Sequence, residues 1–379
     1  MTVAGISDMT DDLVDRNSYL QFESVTGGPS HMTDDLLGKI FYHLCEPGSL
    51  SLRYLLLVSK RFYSLTVNNA HLWTTISLDS PFFHHFRYWP EQGNRFVEYC
   101  LLRSGSLPLR LYIDFSDINE HESAFLLPPL ETFGKPKWKG FQRCTSLMWD
   151  VGYHTMTTVP LSVNLLPKSL PSLKHISLTN FYYIFPGTQF PSCPALESVK
   201  MFEDRFPSPH FWGTNFLHVT TLSFGNDTVW GHFILATLSL FPALNDLKLF
   251  TMRWAVHLPL VDSQPLIIFE HLHILRVHGV IPSGVLTKLV APVLEELYIQ
   301  ANVIPRTSME TLLTSFNPLC RYIHALLPRT ITTLEREWAT NLSMLVKKCI
   351  RIESLYISRW MEEECKKFLF GQDVVLHVQ

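Results

Sequence analysis

Four stretches decide how this chain is read: PSLKHISLT (171–179), PALESVKMF (194–202), PALNDLKLF (242–250) and PVLEELYIQ (292–300). Each carries Leu-x-x-Φ-x-Φ, where Φ is apolar, with a proline two residues before the leucine. The copies are Leu173/Ile176/Leu178, Leu196/Val199/Met201, Val219/Leu222/Phe224, Leu244/Leu247/Leu249, Leu272/Leu275/Val277 and Leu294/Leu297/Ile299. Their starts lie 23, 23, 25, 28 and 22 residues apart. One such pattern means little in an apolar chain, but six at near-constant spacing mark a repeat. Ile352/Leu355/Ile357 is a further copy, and Cys144/Leu147/Trp149 reads as an earlier one. The gap of 58 residues before Ile352 has room for a degenerate copy around FNPLCRYIHALLPRT.

A period of 20–29 residues with this pattern is the leucine-rich-repeat signature. One unit cannot bury its apolar face alone, so neighbours stack into a solenoid. The segments between copies support a strand–loop–helix unit. SGVLTKLVAP offers Ser283 as an N-cap, then Val285, Leu286, Leu289 and Val290 on one stripe. Thr332 and Glu335 form a capping box before LEREWATNLSMLVKKC. RWMEEECKKFLF, Gly371 and DVVLHV supply a last helix and strand. No regular Asn or Cys recurs at the ninth repeat position, so the solenoid is expected to be irregular. The fold class is thus α/β: a small helical unit, then an irregular leucine-rich-repeat solenoid with parallel strands on its concave face and helices outside.

Working toward the N-terminus, PLRLYIDFS reads as a strand, with Leu109, Leu111, Ile113 and Phe115 on one face. FVEYCLLRSG (96–105) reads as a helix, TTISLD as a strand, and the Pro- and Gly-containing stretch 116–140 as an irregular loop. Thr33 is an N-cap with Asp34 and Asp35 in the first turn. Leu36, Leu37, Ile40, Phe41 and Leu44 follow at helical spacing, Pro47-Gly48 makes a turn, and LRYLLLVSKRFYSLTVNN is a second apolar run. Residues 1–30 hold five acids and one base and end in Gly27-Gly28-Pro29-Ser30, the pattern of a disordered tail. The domain reading is therefore an acidic tail at 1–30, a helical unit at 31–75, a linking segment with first repeats at 76–140, and the solenoid at 141–379.

Composition narrows the function classes. The formal net charge is −3 over 379 residues, which argues against binding driven by phosphate neutralisation. No apolar run approaches the ~18 residues of a spanning helix, and the acidic N-terminus has no apolar signal core. Seven cysteines, none in a C-x-x-C pair, speak against a zinc ribbon or a disulfide framework and favour a cytoplasmic or nuclear compartment. No nucleophile-elbow, phosphate-loop or dinucleotide glycine pattern occurs, and H-E-x-x-H is absent. His271-x-His273 and His84-His85 lack a third ligand at a recognisable spacing, so no metal and no cofactor is expected. Glu362 and Lys366 form an i,i+4 pair, as do Glu363 and Lys367, the mark of a solvated helix face.

Strand alternation directs the residues between the apolar ones to the opposite face. On the expected concave face this places Lys200 and Phe202, Asp246, Lys248 and Phe250, Arg276 and His278, Glu296, Tyr298 and Gln300, and Tyr356, with His175, Ser177 and Thr179 in an earlier repeat. Aromatics and arginine are enriched in binding hot spots. Lys200, Lys248 and Arg276 make a positive stripe suited to an acidic or phosphorylated segment. Lys200, Phe202, Lys248, Phe250, Arg276, His278, Tyr298 and Tyr356 are the candidate substrate-binding residues.

The stretch MTDDLLGKIFYHLCEPGSLSLRYLLLVSKRFYSLTVNNAHLW (32–73) resembles the F-box. Leu36, Leu37, Ile40, Phe41 and Leu44 match its first block, Val58, Lys60, Arg61 and Phe62 its second, and Leu72-Trp73 its third. Met32-Thr33 stands where the family has Leu-Pro, Ser59 where it has Cys, and Phe62 where it has Trp. The continuation, LWTTISLD, then FVEYCLLRSGSLPLRLYIDFS, then irregular repeats, is similar to the large fungal F-box group. That resemblance implies a Skp-type adaptor bound at Leu36, Leu37, Ile40, Phe41, Leu44 and Val58, and through it a cullin and a RING subunit. It further implies a protein substrate on the repeats, a non-catalytic role in ubiquitin transfer, and no nucleic-acid or membrane partner. The alternative, favoured by Met32-Thr33, is a leucine-rich-repeat scaffold that joins no ligase.

Overall fold

The computed structural model describes residues 32–44, 51–86, 90–114, 127–150, 166–179, 190–203, 216–226, 231–251, 266–278, 288–300, 322–325, 353–357, 362, 366 and 375–378. The expected tail at 1–30, the Pro47-Gly48 turn, Leu286, and the capping box at Thr332 and Glu335 lie outside them.

Three α-helices open the described chain: α1 (Asp34–Leu44), α2 (Ser51–Val58) and α3 (Lys60–Asn68). Thr33 caps α1 through its side-chain oxygen, which accepts from the Leu36 amide at 3.3 Å. The second apolar run is not one helix. Ser59 takes an extended conformation and its hydroxyl accepts the Phe62 amide, which ends α2 and starts α3. Arg61 reaches back from α3 to the Asp34 carboxylate at 2.7 Å and to the Met32 carbonyl. The Phe41 and Phe62 rings meet edge to face at 4.8 Å.

A short 3-10 turn, Ala70–Trp73, leads into β1 (Thr75–Leu78), α4 (Ser80–Phe86), α5 (Pro90–Arg103) and β2 (Leu109–Asp114). Next come α6 (Leu127–Gly134), α7 (Gly140–Arg143), β3 (Cys144–Asp150), β4 (His175–Thr179), β5 (Ser198–Glu203) and β6 (Thr221–Asn226). Then follow α8 (Gly231–Leu238), β7 (Asp246–Thr251), β8 (Ile267–Ile268), β9 (Ile274–His278), β10 (Leu289–Val290) and β11 (Glu296–Gln300). The last are β12 (Tyr322–Ala325), β13 (Ser354–Ile357) and β14 (Val375–Val378).

Among the described residues, twelve strands form one sheet in the order β1-β2-β3-β4-β5-β6-β7-β9-β11-β12-β13-β14, each pair parallel. Every repeat copy named from sequence supplies one strand, and the degenerate copy supplies β12. The register stacks like positions. Ile76, Leu111, Leu147, Ile176, Val199, Leu222, Leu247, Leu275, Leu297, Ile323, Leu355 and Leu376 stand side by side in one column. A second column, two residues on, runs from Leu78 through Trp149, Met201 and Val277 to Val378. The leading residue of each copy (Leu173, Leu196, Val219, Leu244, Leu272, Leu294) is buried beneath these columns.

Two expectations need correcting. The stretch 116–140 is not loop throughout, because α6 and the start of α7 lie in it. Pro128 and Pro129 fall in the first turn of α6, where a missing amide costs no hydrogen bond. β1 and β2, in the stretch expected to link to the solenoid and hold first repeats, continue the sheet through β3. Within SGVLTKLVAP, Leu289 and Val290 are strand, paired with Ile267 and Ile268 in a second small parallel sheet. A short apolar run fits helix or strand equally well by periodicity.

One apolar core runs from Leu37 and Phe41 to Leu355 and Ile357. Trp73 joins the helices to the sheet: it is fully buried, its indole N–H donates to the Thr66 carbonyl at 2.8 Å, and its ring meets Tyr99 of α5 edge to face. Arg110 of β2 donates to the Tyr42 hydroxyl of α1 at 2.6 Å. Arg143 closes the next junction, donating to the Leu107 carbonyl at 3.1 Å and to the carbonyl of Gly105, just past the end of α5. Gly105 has φ +57, the left-handed conformation a helix C-terminus commonly takes.

Leu247→Ala, which empties a fully buried position between Leu222 and Leu275, should cost about 2–5 kcal/mol in chemical denaturation. Ser223→Ala, on the opposite face of the adjacent strand, should stay within about 0.5 kcal/mol.

Candidate functional site

The face of the large sheet away from the apolar columns carries its own columns. The middle one reads Ser77, Tyr112, Met148, Ser177, Lys200, Ser223, Lys248, Arg276, Tyr298, His324, Tyr356, His377. The next reads Asp114, Asp150, Thr179, Phe202, Gly225, Phe250, His278. All eight residues expected on the binding face stand in these two columns. Phe202, Phe250, His278, Lys200, Lys248 and Arg276 converge on β5 to β9, with Tyr298 at their border. Tyr356 lies apart, stacked on His377 at 4.2 Å.

The aromatic group has a specific cause. Gly225 sits between Phe202 and Phe250 in the column. A Cβ at Gly225 would lie 2.4 Å from Cδ1 of Phe202 and 3.4 Å from Cβ of Phe250. With only a hydrogen there, the two rings lean together over β6 with centroids 5.3 Å apart. His278 extends the row, stacked on Phe250 at 4.9 Å. The cations of the middle column lie over these rings: Lys200 on Phe202 at 5.2 Å, Lys248 on Phe250 at 4.4 Å and Arg276 on Tyr298 at 5.0 Å.

The charges divide along the sheet. Arg276 grips both carboxylate oxygens of Asp246, and the Tyr298 hydroxyl donates to Glu296 at 2.9 Å. Among the described residues no ion pair involves Lys200 or Lys248. Burial lowers the Lys248 pKa, and the like charges of Arg276 and Lys200 lower it further, with Asp246 opposing. The other end is acidic. Asp114 accepts from the Tyr112 hydroxyl at 3.0 Å, and Asp79 accepts from Ser77 at 2.5 Å. Burial, then the hydrogen bond to Asp114, pushes the Tyr112 phenol up to about 12. Asp150, beside Asp114 in the column, has its pKa raised by burial and then by the Asp114 charge, with Lys200 opposing. Gly225, Asp114, Asp150 and His377 escaped the reading of the sequence. For Gly225, Asp114 and Asp150 the signal was the residue just after the second buried column, which lines up only once the strands are stacked, whereas His377 lies between the two buried columns.

The docking residues expected on the helices divide differently. Leu37 and Phe41 are each 2% exposed and belong to the core, because that side of α1 packs under the Trp73 junction. Ile40 is half-buried against the same core. The side chain of Leu44 lies outside the described residues. Leu36 and Val58 are 45% and 57% exposed, and their neighbours Tyr54 and Leu57 are 75% and 46% exposed. Helical spacing revealed an apolar stripe but not which part of it the solenoid would cover.

Among the described residues no group of three His, Cys, Asp or Glu side chains could hold a metal ion. His273 bonds through Nδ1 to the His271 carbonyl at 2.7 Å. The Cys144 and Cys193 thiols are each pushed up to about 12, with burial the main cause, and stay protonated at neutral pH. Lys366 and Glu362 form the expected i,i+4 ion pair at 2.5 Å. No helix among the described residues is long and apolar enough to cross a membrane. No family model matches the chain, and no curated protein matches it at a significant level.

A raised carboxylate pKa means that the ionised form is disfavoured in the folded state. Its cost is present above the folded pKa and is relieved as the pH falls through it. Asp150→Asn should therefore raise the melting temperature at neutral pH, and the gain should shrink on acidification. A pH series of thermal melts on both proteins measures this.

Proposed function

We propose that the chain is a substrate-recognition subunit of a Skp–cullin–F-box ubiquitin ligase. The helices at 31–75 dock a Skp-type adaptor, and the outer face of the sheet holds a protein target. The observation that carries the reading is the set of apolar side chains that α1 and α2 leave to solvent: Leu36, Tyr54, Leu57 and Val58. They lie in the stretch that resembles the F-box. A closed helical module gains nothing by exposing them, whereas a docking surface requires them.

The mechanism is positional. The adaptor fixes the helices, the helices are fixed to the sheet by Trp73 and by the Arg110–Tyr42 bond, and the sheet face fixes the target. A separate enzyme transfers ubiquitin to a lysine held nearby, so the contribution of this chain is effective concentration. A rigid junction serves that role, since a loose one would spread the target over a larger volume.

Co-purification with the host's Skp-type adaptor tests the reading. The full chain should form a stoichiometric complex, and Leu36→Asp combined with Val58→Asp should abolish it with the thermal melt unchanged. Both positions are exposed, so loss of binding would not reflect unfolding. Absence of a complex with the well-folded full chain would favour a repeat scaffold outside any ligase.

A further inference from the structure

The outer face of the sheet is bipolar, and its two poles are separated by a measured number of strands. Asp114 and Asp150 stand side by side on β2 and β3. Lys200 and Lys248 stand on β5 and β7, one strand to either side of β6. Next to the lysines, the half-buried Phe202 and Phe250 rings meet over Gly225 of β6. Each pole sets like charges side by side, so a ligand group of opposite sign placed there meets two of them at once.

We infer that this face takes an extended protein segment with an arginine or lysine at Asp114 and Asp150, an apolar or aromatic side chain on the Phe202–Phe250 pair, and an acidic side chain at Lys200 and Lys248. The inference rests on the sheet-face reading above and adds to it the chemistry, order and spacing of the target.

The spacing follows from strand geometry. From the midpoint of β2 and β3 to β6 is three and a half strand intervals of about 4.8 Å each, or about 17 Å. An extended chain advances about 3.3 Å per residue, so about five residues separate the basic side chain from the apolar one. The lysines lie two positions along their strands from the ring column, so the acidic residue neighbours the apolar one in the ligand. The direction of the ligand chain is left free by these contacts. A nucleic acid fits poorly, because its uniform phosphate charge would run over Asp114, Asp150 and Asp79. A ring pair with overlying cations suits a side chain that is flat or apolar and has an acid next to it.

Fluorescence anisotropy with labelled synthetic peptides tests this on the full chain. The peptides carry an arginine about five residues from a phenylalanine–glutamate pair, in both chain directions. Controls exchange the arginine with the glutamate, or scramble the order. The ordered peptide should bind, and both controls should bind about tenfold more weakly. Lys200→Glu with Lys248→Glu should weaken binding about tenfold, and a peptide with arginine in place of its glutamate should restore it. Asp150→Lys should do the same at the other end, with restoration by a glutamate in place of the arginine. All three positions face outward, and a thermal melt of each variant checks the fold.

Binding that ignores residue order, failure of the charge exchanges to restore affinity, or no binding of any peptide would overturn the proposal. Binding that needs Phe250 and Lys248 but not Asp150 or the arginine would overturn the bipolar ligand and leave the sheet-face reading standing. Capture of the cellular target that is indifferent to Phe250→Ala and Lys248→Glu would remove both.

Discussion

Register is the constraint on which the rest of this structure depends. A strand sends alternate residues to opposite faces, so slippage by one residue would turn its buried column outward. Here the columns hold across the twelve-stranded sheet, from Ile76 to Leu376 and from Leu78 to Val378. Among the described residues the pairing has one irregularity, between β2 and β3, where Leu109 faces Cys144 but Arg110 faces Ser146. Thr145, the extra residue, is held there by its hydroxyl on the Leu109 carbonyl. The ladder resumes at once, and the acidic pair Asp114 and Asp150 stays aligned because of it.

The sheet also needs an end. A solenoid exposes its first apolar layer unless something covers it. The helices α1 to α3 do so: Leu37, Phe41 and Leu52 share the core with Trp73 and Ile76. This accounts for the division of the apolar residues in that module. The part turned to the sheet is consumed in capping it, and the part on Leu36, Tyr54, Leu57 and Val58 is left over. Capping of the sheet and exposure to solvent are thus assigned to different faces of the same short helices.

The repeat was legible in the sequence because burial on one face of a strand imposes period two, and stacking imposes a period near 24 residues. Both survive in residues such as Leu244, Leu247 and Leu249 without reference to any partner. The connections were less legible. Pro128 and Pro129 suggest a break, yet they open α6, since the first helical turn has no amide bonds to lose. Ser59 looks like an ordinary polar residue in an apolar run, yet its hydroxyl divides two helices. The outward columns were half legible. Lys200, Phe202, Lys248 and Phe250 follow from alternation alone, whereas Asp114 sat in a segment not yet aligned with the repeats. Gly225 carries no side chain to notice, and its effect exists only between the neighbours on either side.

Strand order gives this face the property of a graduated scale. Each repeat contributes one strand, and adjacent strands lie about 4.8 Å apart whatever their side chains. Gain or loss of one repeat between β3 and β6 would lengthen or shorten the distance between the carboxylates and the rings by that step, about one and a half residues of an extended chain. The side chains themselves would be untouched, as would the buried columns. Duplication or deletion of a repeat would thus change the distance between the carboxylates and the rings in discrete increments, while point substitution changes the side chain at each mark.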